Sequence, residues 1–130
     1  MPDPAAASRT VAFEGADHGG GVSLFLVDAD PGRGAEPHTH PYSETFVVRD
    51  GKARFVLGDR LVDAVAGDIV VVPPDTVHGF KNVGTGRLDL VCVHAAARME
   101  TTWLPSGAEG GDAESAGVAR GAAGAGRAQS

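Results

Sequence analysis

Apolar and polar residues alternate in short runs through the middle of the chain, and the runs predict strands. VSLFLVD (22–28), ETFVVRD (44–50), KARFVLG (52–58), DIVVVP (68–73) and LDLVCVHA (88–95) are rich in Val, Leu and Phe and are separated by Gly, Pro and Asp. No stretch within this core sustains helical spacing, and no internal repeat is present. Gly51, Gly58-Asp59 and Gly84-Thr85-Gly86 fall where hairpin turns are needed, since glycine takes positive φ without strain. Short strands at this spacing predict an all-β antiparallel sandwich or small barrel.

Strand parity then sorts side chains by face. Glu44, Phe46 and Val48 share one side, and Thr45, Val47 and Arg49 take the other. In the last run, Leu88, Leu90, Cys92 and His94 form the inward set, with Cys92 a small core residue. Val47, Val56, Val91 and Val93 fall outward, and 69–72 is apolar on both faces. That outer surface needs cover, from a homodimer packing sheet on sheet or from an added N-terminal strand.

Composition divides the chain. Residues 1–9 are mostly Pro, Ala and Ser, and 105–130 are mostly Gly, Ala, Ser and Glu with almost no large apolar side chain. Such segments cannot offset their ordering entropy by burial. The expectation is a flexible N-terminus (1–9), one β-barrel domain (10–104) with Trp103 and Leu104 packed on it, and a disordered tail (105–130). At 130 residues the chain is long enough to bury a core without staples. Its 17 acidic and 11 scattered basic residues, net charge −6, argue against a nucleic-acid or membrane partner. Cys92 stands alone, so no intrachain disulfide forms, and no secretory signal or membrane-length run is read; the expected location is cytoplasmic.

The chemistry concentrates in two stretches. In GAEPHTHPYSETFVVRDG (34–51), His38 and His40 flank Thr39, so both imidazoles point the same way about 6–7 Å apart and reach one point. Pro41 breaks the ladder, after which Glu44 joins the inward apolar set, where a carboxylate is costly unless paired or metal-bound. In GDIVVVPPDTVHGFKN (67–82), His78 shares parity with Phe80. Three imidazoles and a carboxylate suit a first-row divalent ion. Tyr42 beside them either hydrogen-bonds a substrate or is an ordinary packed tyrosine, the commoner case. His94 either faces the cavity as acid, base or donor, or ends its strand satisfied by a backbone carbonyl or water; the second is the simpler reading. His18, in a glycine-rich turn, is expected to be exposed.

Both stretches fit longer patterns. Gly32, five residues, His38-Thr39-His40, three residues, Glu44, six residues, Gly51 is followed, after fifteen residues, by Gly67, five residues, Pro73, one residue, Asp75, two residues, His78, three residues, Asn82. This resembles the two sequence motifs of the cupin superfamily, in order, with Asp75 where the family has glycine. Asp tolerates the left-handed turn better than most residues, so the departure leaves the site intact. The resemblance implies a double-stranded β-helix, or jelly roll, with His38, His40, Glu44 and His78 as metal ligands.

It also implies a divalent ion, Fe, Mn, Ni, Zn or Cu, and a small-molecule substrate that chelates it. Four protein ligands would saturate a tetrahedral zinc, whereas a six-coordinate ion keeps two positions open. The expected function is a metal-dependent enzyme of oxygenase, cyclase or isomerase type, with Glu44, Tyr42 and His94 the candidate catalytic residues. The alternative is a non-catalytic barrel binding a metal and a small ligand. Substrate is expected to enter beside Tyr42 and His78, between walls of Phe46, Phe55 and Phe80.

Overall fold

The structure is a computed structural model and describes residues 9–105 and 117–120. Among the described residues eleven strands and one 3₁₀ turn (Gly15–His18) follow in order: β1 (Val11–Glu14), β2 (Ser23–Ala29), β3 (Gly34–Thr39), β4 (Glu44–Asp50), β5 (Lys52–Leu57), β6 (Arg60–Val65), β7 (Ile69–Val72), β8 (His78–Asn82), β9 (Leu88–His94), β10 (Thr102–Trp103) and β11 (Gly117–Ala119). They form two antiparallel sheets, β1-β2-β9-β4-β7-β11 and β10-β3-β8-β5-β6. This is the predicted all-β jelly roll. The five strands read from alternation appear as β2, β4, β5, β7 and β9, displaced at their ends by no more than a residue or so. β6 escaped the reading because its sequence RLVDAV lacks clean alternation and buries only Ala64 deeply. It forms because the turn at Gly58 folds it back along the whole of β5, from Leu57–Arg60 to Lys52–Val65.

The core lies between the sheets. Phe46, Val48, Val70, Val72, Leu88 and Leu90 from the first sheet meet Phe55, Leu57, Ala53 and Ala64 from the second, all essentially buried. Phe46 and Phe55 pack edge to face with ring centroids 4.9 Å apart, a geometry that adds to their area burial. Because a one-residue slip would turn this whole set outward, the register of β4 is strongly specified. The first residue of β4, Glu44, is therefore held on the inward face at one end of the core.

The reverse face of the six-stranded sheet is apolar across five strands. Val11, Leu26, Val91, Val47 and Ile69 are successive register partners, as are Phe13, Leu24, Val93, Thr45 and Val71. The N-terminal strand that was one candidate cover for this face is present as β1, but it pairs with β2 at the sheet edge and so widens the face instead of covering it.

Turn chemistry agrees with the sequence at some positions and not at others. Gly51 and Gly58 have positive φ, 90° and 65°. Gly84 and Gly86 are not among the positive-φ residues; that turn is held instead by the Asn82 side chain, which donates to the carbonyls of Ala29 and Gly86 and accepts from the Gly84 N–H. At Gly51 a Cβ would lie 2.4 Å from the Arg87 carbonyl oxygen. Gly51→Ala thus combines left-handed strain with a backbone clash, and a loss of about 2–3 kcal/mol in urea unfolding is expected. An unchanged midpoint would show that the β4–β5 turn relaxes freely.

Within the C-terminal segment the structure describes residues 117–120. Gly117–Ala119 pair with Val71–Ile69 as an edge strand, and Arg120 Nη1 lies 2.8 Å from the buried Asp68 carboxylate. The alternation rule could not find β11, because its three residues are too few to show a period. The expectations for 1–8, 106–116 and 121–130 lie outside the described residues. Leu104 donates its N–H to the Pro37 carbonyl, and Trp103 pairs in register with His38 while remaining 61 % exposed. His18 is exposed as expected, its ring stacked on Phe13. Among the described residues no helix is long and apolar enough to cross a membrane.

Candidate metal centre

Four elements bring five titratable side chains to one end of the core. β3 carries His38 and leads into His40, β4 begins with Glu44, β8 begins with His78, and β9 ends with His94. Register does the positioning: His38 is the partner of His78, and Glu44 is the partner of His94. The connection before β8 is pinned by Asp75, whose φ is +63° and whose N–H donates to the His40 carbonyl at 2.7 Å. The aspartate at the motif's glycine position thus adopts the left-handed turn, and that turn ties the two histidine stretches together.

The four expected ligands converge. Donor atoms of His38, His40, Glu44 and His78 all lie within 4.8 Å of one another, and all four residues are buried. Glu44 Oε1 lies 2.9 Å from His40 Nε2 and 3.0 Å from His78 Nε2, while Oε2 lies 3.1 Å from His94 Nε2.

The far sides of the rings decide what the near sides can do. His38 Nδ1 faces the Glu36 carbonyl at 2.6 Å, His40 Nδ1 the Glu100 carbonyl at 2.9 Å, and His78 Nδ1 the Thr76 carbonyl at 2.8 Å. A carbonyl only accepts, so each Nδ1 carries the proton and each neutral ring presents a bare Nε2 inward. A bare nitrogen cannot hydrogen-bond a carboxylate, so each of these contacts needs a cation: a proton on Nε2, which makes the ring an imidazolium when no metal is bound, or a metal ion in the proton's place. His40 Nε2 in particular is close to Glu44 yet has no aligned hydrogen bond. Three oriented nitrogens and one carboxylate are the donor set a divalent first-row ion takes, and backbone carbonyls behind the rings are the usual outer support of such a site. These residues therefore fit the implied metal.

Burial and pairing shape the charges. Burial pushes His38 down to about 4, and the neighbouring His78 and His40 push the same way. Burial also disfavours charge on His40, but the Glu44 carboxylate and the Glu100 carbonyl outweigh it and raise the ring above its ordinary value. Burial is the largest single influence on Glu44 and disfavours its charge, yet His40, His78 and His94 together hold its carboxyl well below the usual range. Burial lifts the Cys92 thiol far above its ordinary value, as for an inert core cysteine.

His94 departs from the simpler expectation. It is 1 % exposed, and its Nδ1 meets the Tyr42 hydroxyl at 2.7 Å, not a carbonyl or water. Tyr42 Oη also accepts the Glu100 N–H at 3.0 Å. His94 Nε2, like that of His40, is buried without an aligned hydrogen bond. Burial is the main cause that raises the Tyr42 hydroxyl above its ordinary value, with Glu44 adding to it.

A cavity of about 190 Å³ opens onto this group, lined by His38, His40, Glu44, His94 and apolar side chains. Phe46 and Phe80 line it as expected. Phe55 does not; it is fully buried in the core behind them. The sequence missed Phe25, Val27 and Trp103, which line the cavity, although the inward parity of 25 and 27 along β2 was available as a signal. The exposed lining residues are Thr10, Gly34 and Trp103, so the mouth lies there and not beside Tyr42 and His78.

A double-stranded β-helix with three histidines and a glutamate converging inside one end defines a barrel of the metal-centre type. The cupin domain family matches residues 25–94, more than half of the chain, and the chain belongs to that family. Among solved structures, an uncharacterised conserved protein with a double-stranded β-helix domain from Klebsiella pneumoniae is 28 % identical, with TM-score 0.60 over 64 % of this chain and 70 % of that one. An oxalate oxidase aligns with TM-score 0.66 at 24 % identity over 81 % of this chain and 60 % of its own. An oxalate decarboxylase from Lactobacillus farciminis aligns with TM-score 0.68 at 24 % identity over 75 % of this chain and 31 % of its own. The chain thus spans less than two thirds of either oxalate enzyme, and at these identities the likeness shows the fold. No curated protein sequence matches the chain.

Proposed function

We propose that this cupin is a metal-dependent enzyme acting on a small organic molecule that chelates the ion, by oxygenase, cyclase or isomerase chemistry. The observation that carries the reading is the convergence of His38, His40, Glu44 and His78, of which His38, His40 and Glu44 line a cavity that a small molecule can enter. A bound divalent ion would polarise or activate a ligand oxygen there. His38, His40, Glu44 and His78 would hold it. Glu44, a catalytic candidate from the sequence, is read as a ligand, because a carboxyl kept so strongly ionised is a poor proton donor.

His94 is the proposed catalytic residue. It lines the cavity, and Tyr42, which does not, positions it and can exchange a proton with Nδ1. His94→Gln is expected to lower kcat about 10²–10⁴-fold with the ion retained, the range for losing a general acid or base. Tyr42→Phe should lower it less. Wild-type kcat in the His94 variant would remove His94 from the chemistry.

The test of the function is a panel of catechols, flavonols, hydroxyketones and 2-oxo acids, assayed with and without oxygen after reconstitution with each of Fe, Mn, Ni, Zn and Cu. Consumption of a panel member under one metal supports the enzyme. Tight binding without turnover under every metal would favour the second reading, a non-catalytic barrel binding a metal and a small ligand, which the largely apolar cavity also suits.

The proposal includes a cytoplasmic homodimer. The two apolar rows on the outer sheet spread across five strands, roughly 20 Å at the usual strand spacing, and a second copy of the same sheet can pack on them face to face. Sedimentation at micromolar concentration is expected to show a dimer that Leu26→Asp dissociates; a wild-type monomer would refute this assembly.

A further inference from the structure

The oxalate enzymes among the structural neighbours make a small dicarboxylate the simplest ligand to transfer to this cavity, and the cavity's own chemistry argues otherwise. No lysine or arginine is among the described residues that line it. Among the described lining residues Glu44 is the one carboxylate, and the walls away from the histidines are Phe25, Val27, Phe46, Phe80, Cys92 and Trp103. The remaining polar side chains on the lining are neutral hydroxyls, Thr10 and Thr101.

Charge counting then sets the ligand. Histidines bind a metal as neutral imidazoles, so a divalent ion held by Glu44 and three histidines carries one net positive charge. A chelating monoanion cancels it. A dianion leaves a net negative charge inside apolar walls that offer it no cation and few donors, which is costly. Size adds a second limit: about 190 Å³ lies below the roughly 300–1,000 Å³ of pockets that take drug-sized ligands. Aromatic rings on opposite sides of the space also favour an apolar, flat body over a fully polar one.

We infer that this cavity takes a small monoanionic chelate with an apolar body, such as the enolate of a diketone or hydroxyketone, and discriminates against dicarboxylates. The inference rests on the metal-centre reading above and narrows its substrate class.

The chain's single tryptophan supplies a readout that does not depend on turnover. Trp103 sits at the cavity mouth with its ring centroid 4.7 Å from that of His38, so its fluorescence reports both the open-shell ion and the ligand. The full chain is loaded with Co(II), the ion is counted per chain, and acetylacetonate, maltolate and oxalate are titrated against Trp103 emission and the cobalt absorption bands. Each affinity is divided by that ligand's affinity for aqueous Co(II), which removes intrinsic chelating strength. The two monoanions are expected to be favoured over oxalate by at least tenfold on this ratio. Thr10→Arg, which places a cation at the exposed rim, is expected to narrow the gap by raising oxalate binding alone. One ion per chain with oxalate bound equally well or better overturns this inference and leaves the metal centre standing. Failure to load one ion per chain overturns both.

Discussion

His40→Ala and His78→Ala are each expected to lose stoichiometric metal while keeping the fold. The wild-type site offers three inward Nε2 atoms and Glu44, with each ring locked by a hydrogen bond from Nδ1 to a backbone carbonyl. Orientation is thus set by the fold, and deleting one ring removes one of the four convergent donors. Binding that favours the folded state stabilises by about 4 kcal/mol at a thousandfold excess over Kd. For a domain of this size each kcal/mol moves Tm by roughly 4–8 °C, so adding metal should raise the wild-type Tm by well over 10 °C and leave the variants nearly unmoved. The fold should persist, because the core of Phe46, Phe55, Leu57, Leu88 and Leu90 is buried independently of the ion. Elemental analysis, far-UV circular dichroism and melting with and without metal check all three statements. Either variant retaining one ion per chain would remove that histidine from the ligand set.

The metal-free protein is expected to lose stability steeply as pH falls from about 6.5 to about 4. His38 drives this. Its folded pKa is depressed from 6.5 to about 4, so in that window the unfolded chain binds a proton that the folded chain refuses. The contribution is complete above 6.5 and is lost downward through the window, about 3 kcal/mol in all. Glu44 acts in the same direction but lower, since its depressed carboxyl contributes above the unfolded carboxylate value of 4.5 and the loss begins only below it. His40 has the opposite sign. Its raised pKa contributes below 6.5 and is lost as pH climbs through the folded value, so it does not mask the His38 window. Urea unfolding of metal-free protein at pH 7, 5 and 4 measures the slope, and His38→Asn should flatten it. A flat wild-type profile between pH 7 and 5 would contradict the burial of a neutral His38.

How far the sequence could be read followed from how local each signal is. β2, β4, β5, β7 and β9 were legible because each is a run rich in Val, Leu or Phe set off by Gly, Pro or Asp. β6 and β11 were not, since they form by pairing with an existing strand and carry little pattern of their own. The same division runs through the site. His38, His40, Glu44 and His78 were legible from parity and spacing together. The pairing of His94 with Tyr42 joins positions 52 residues apart and left no mark on either local pattern. The expected entrance beside Tyr42 and His78 failed for a similar reason: Trp103 and Thr10, from the two ends of the domain, set the mouth.

By itself, then, the sequence determined the sheet class, the inward face of each long strand and the identity of the four candidate ligands. The first two follow from the residue types and the two-residue period of a strand, and the candidate ligands from that parity, the cost of placing a carboxylate among apolar side chains and the resemblance of the two motif spacings to those of the cupins. Only the tertiary structure decided which tautomer each ring presents, which side chains wall the cavity, where it opens, and what stands behind His94. Those properties depend on atoms brought together across strands by register, and a hydrogen bond from Nδ1 to a carbonyl or a missing cation on a cavity wall exists only once the sheets have closed.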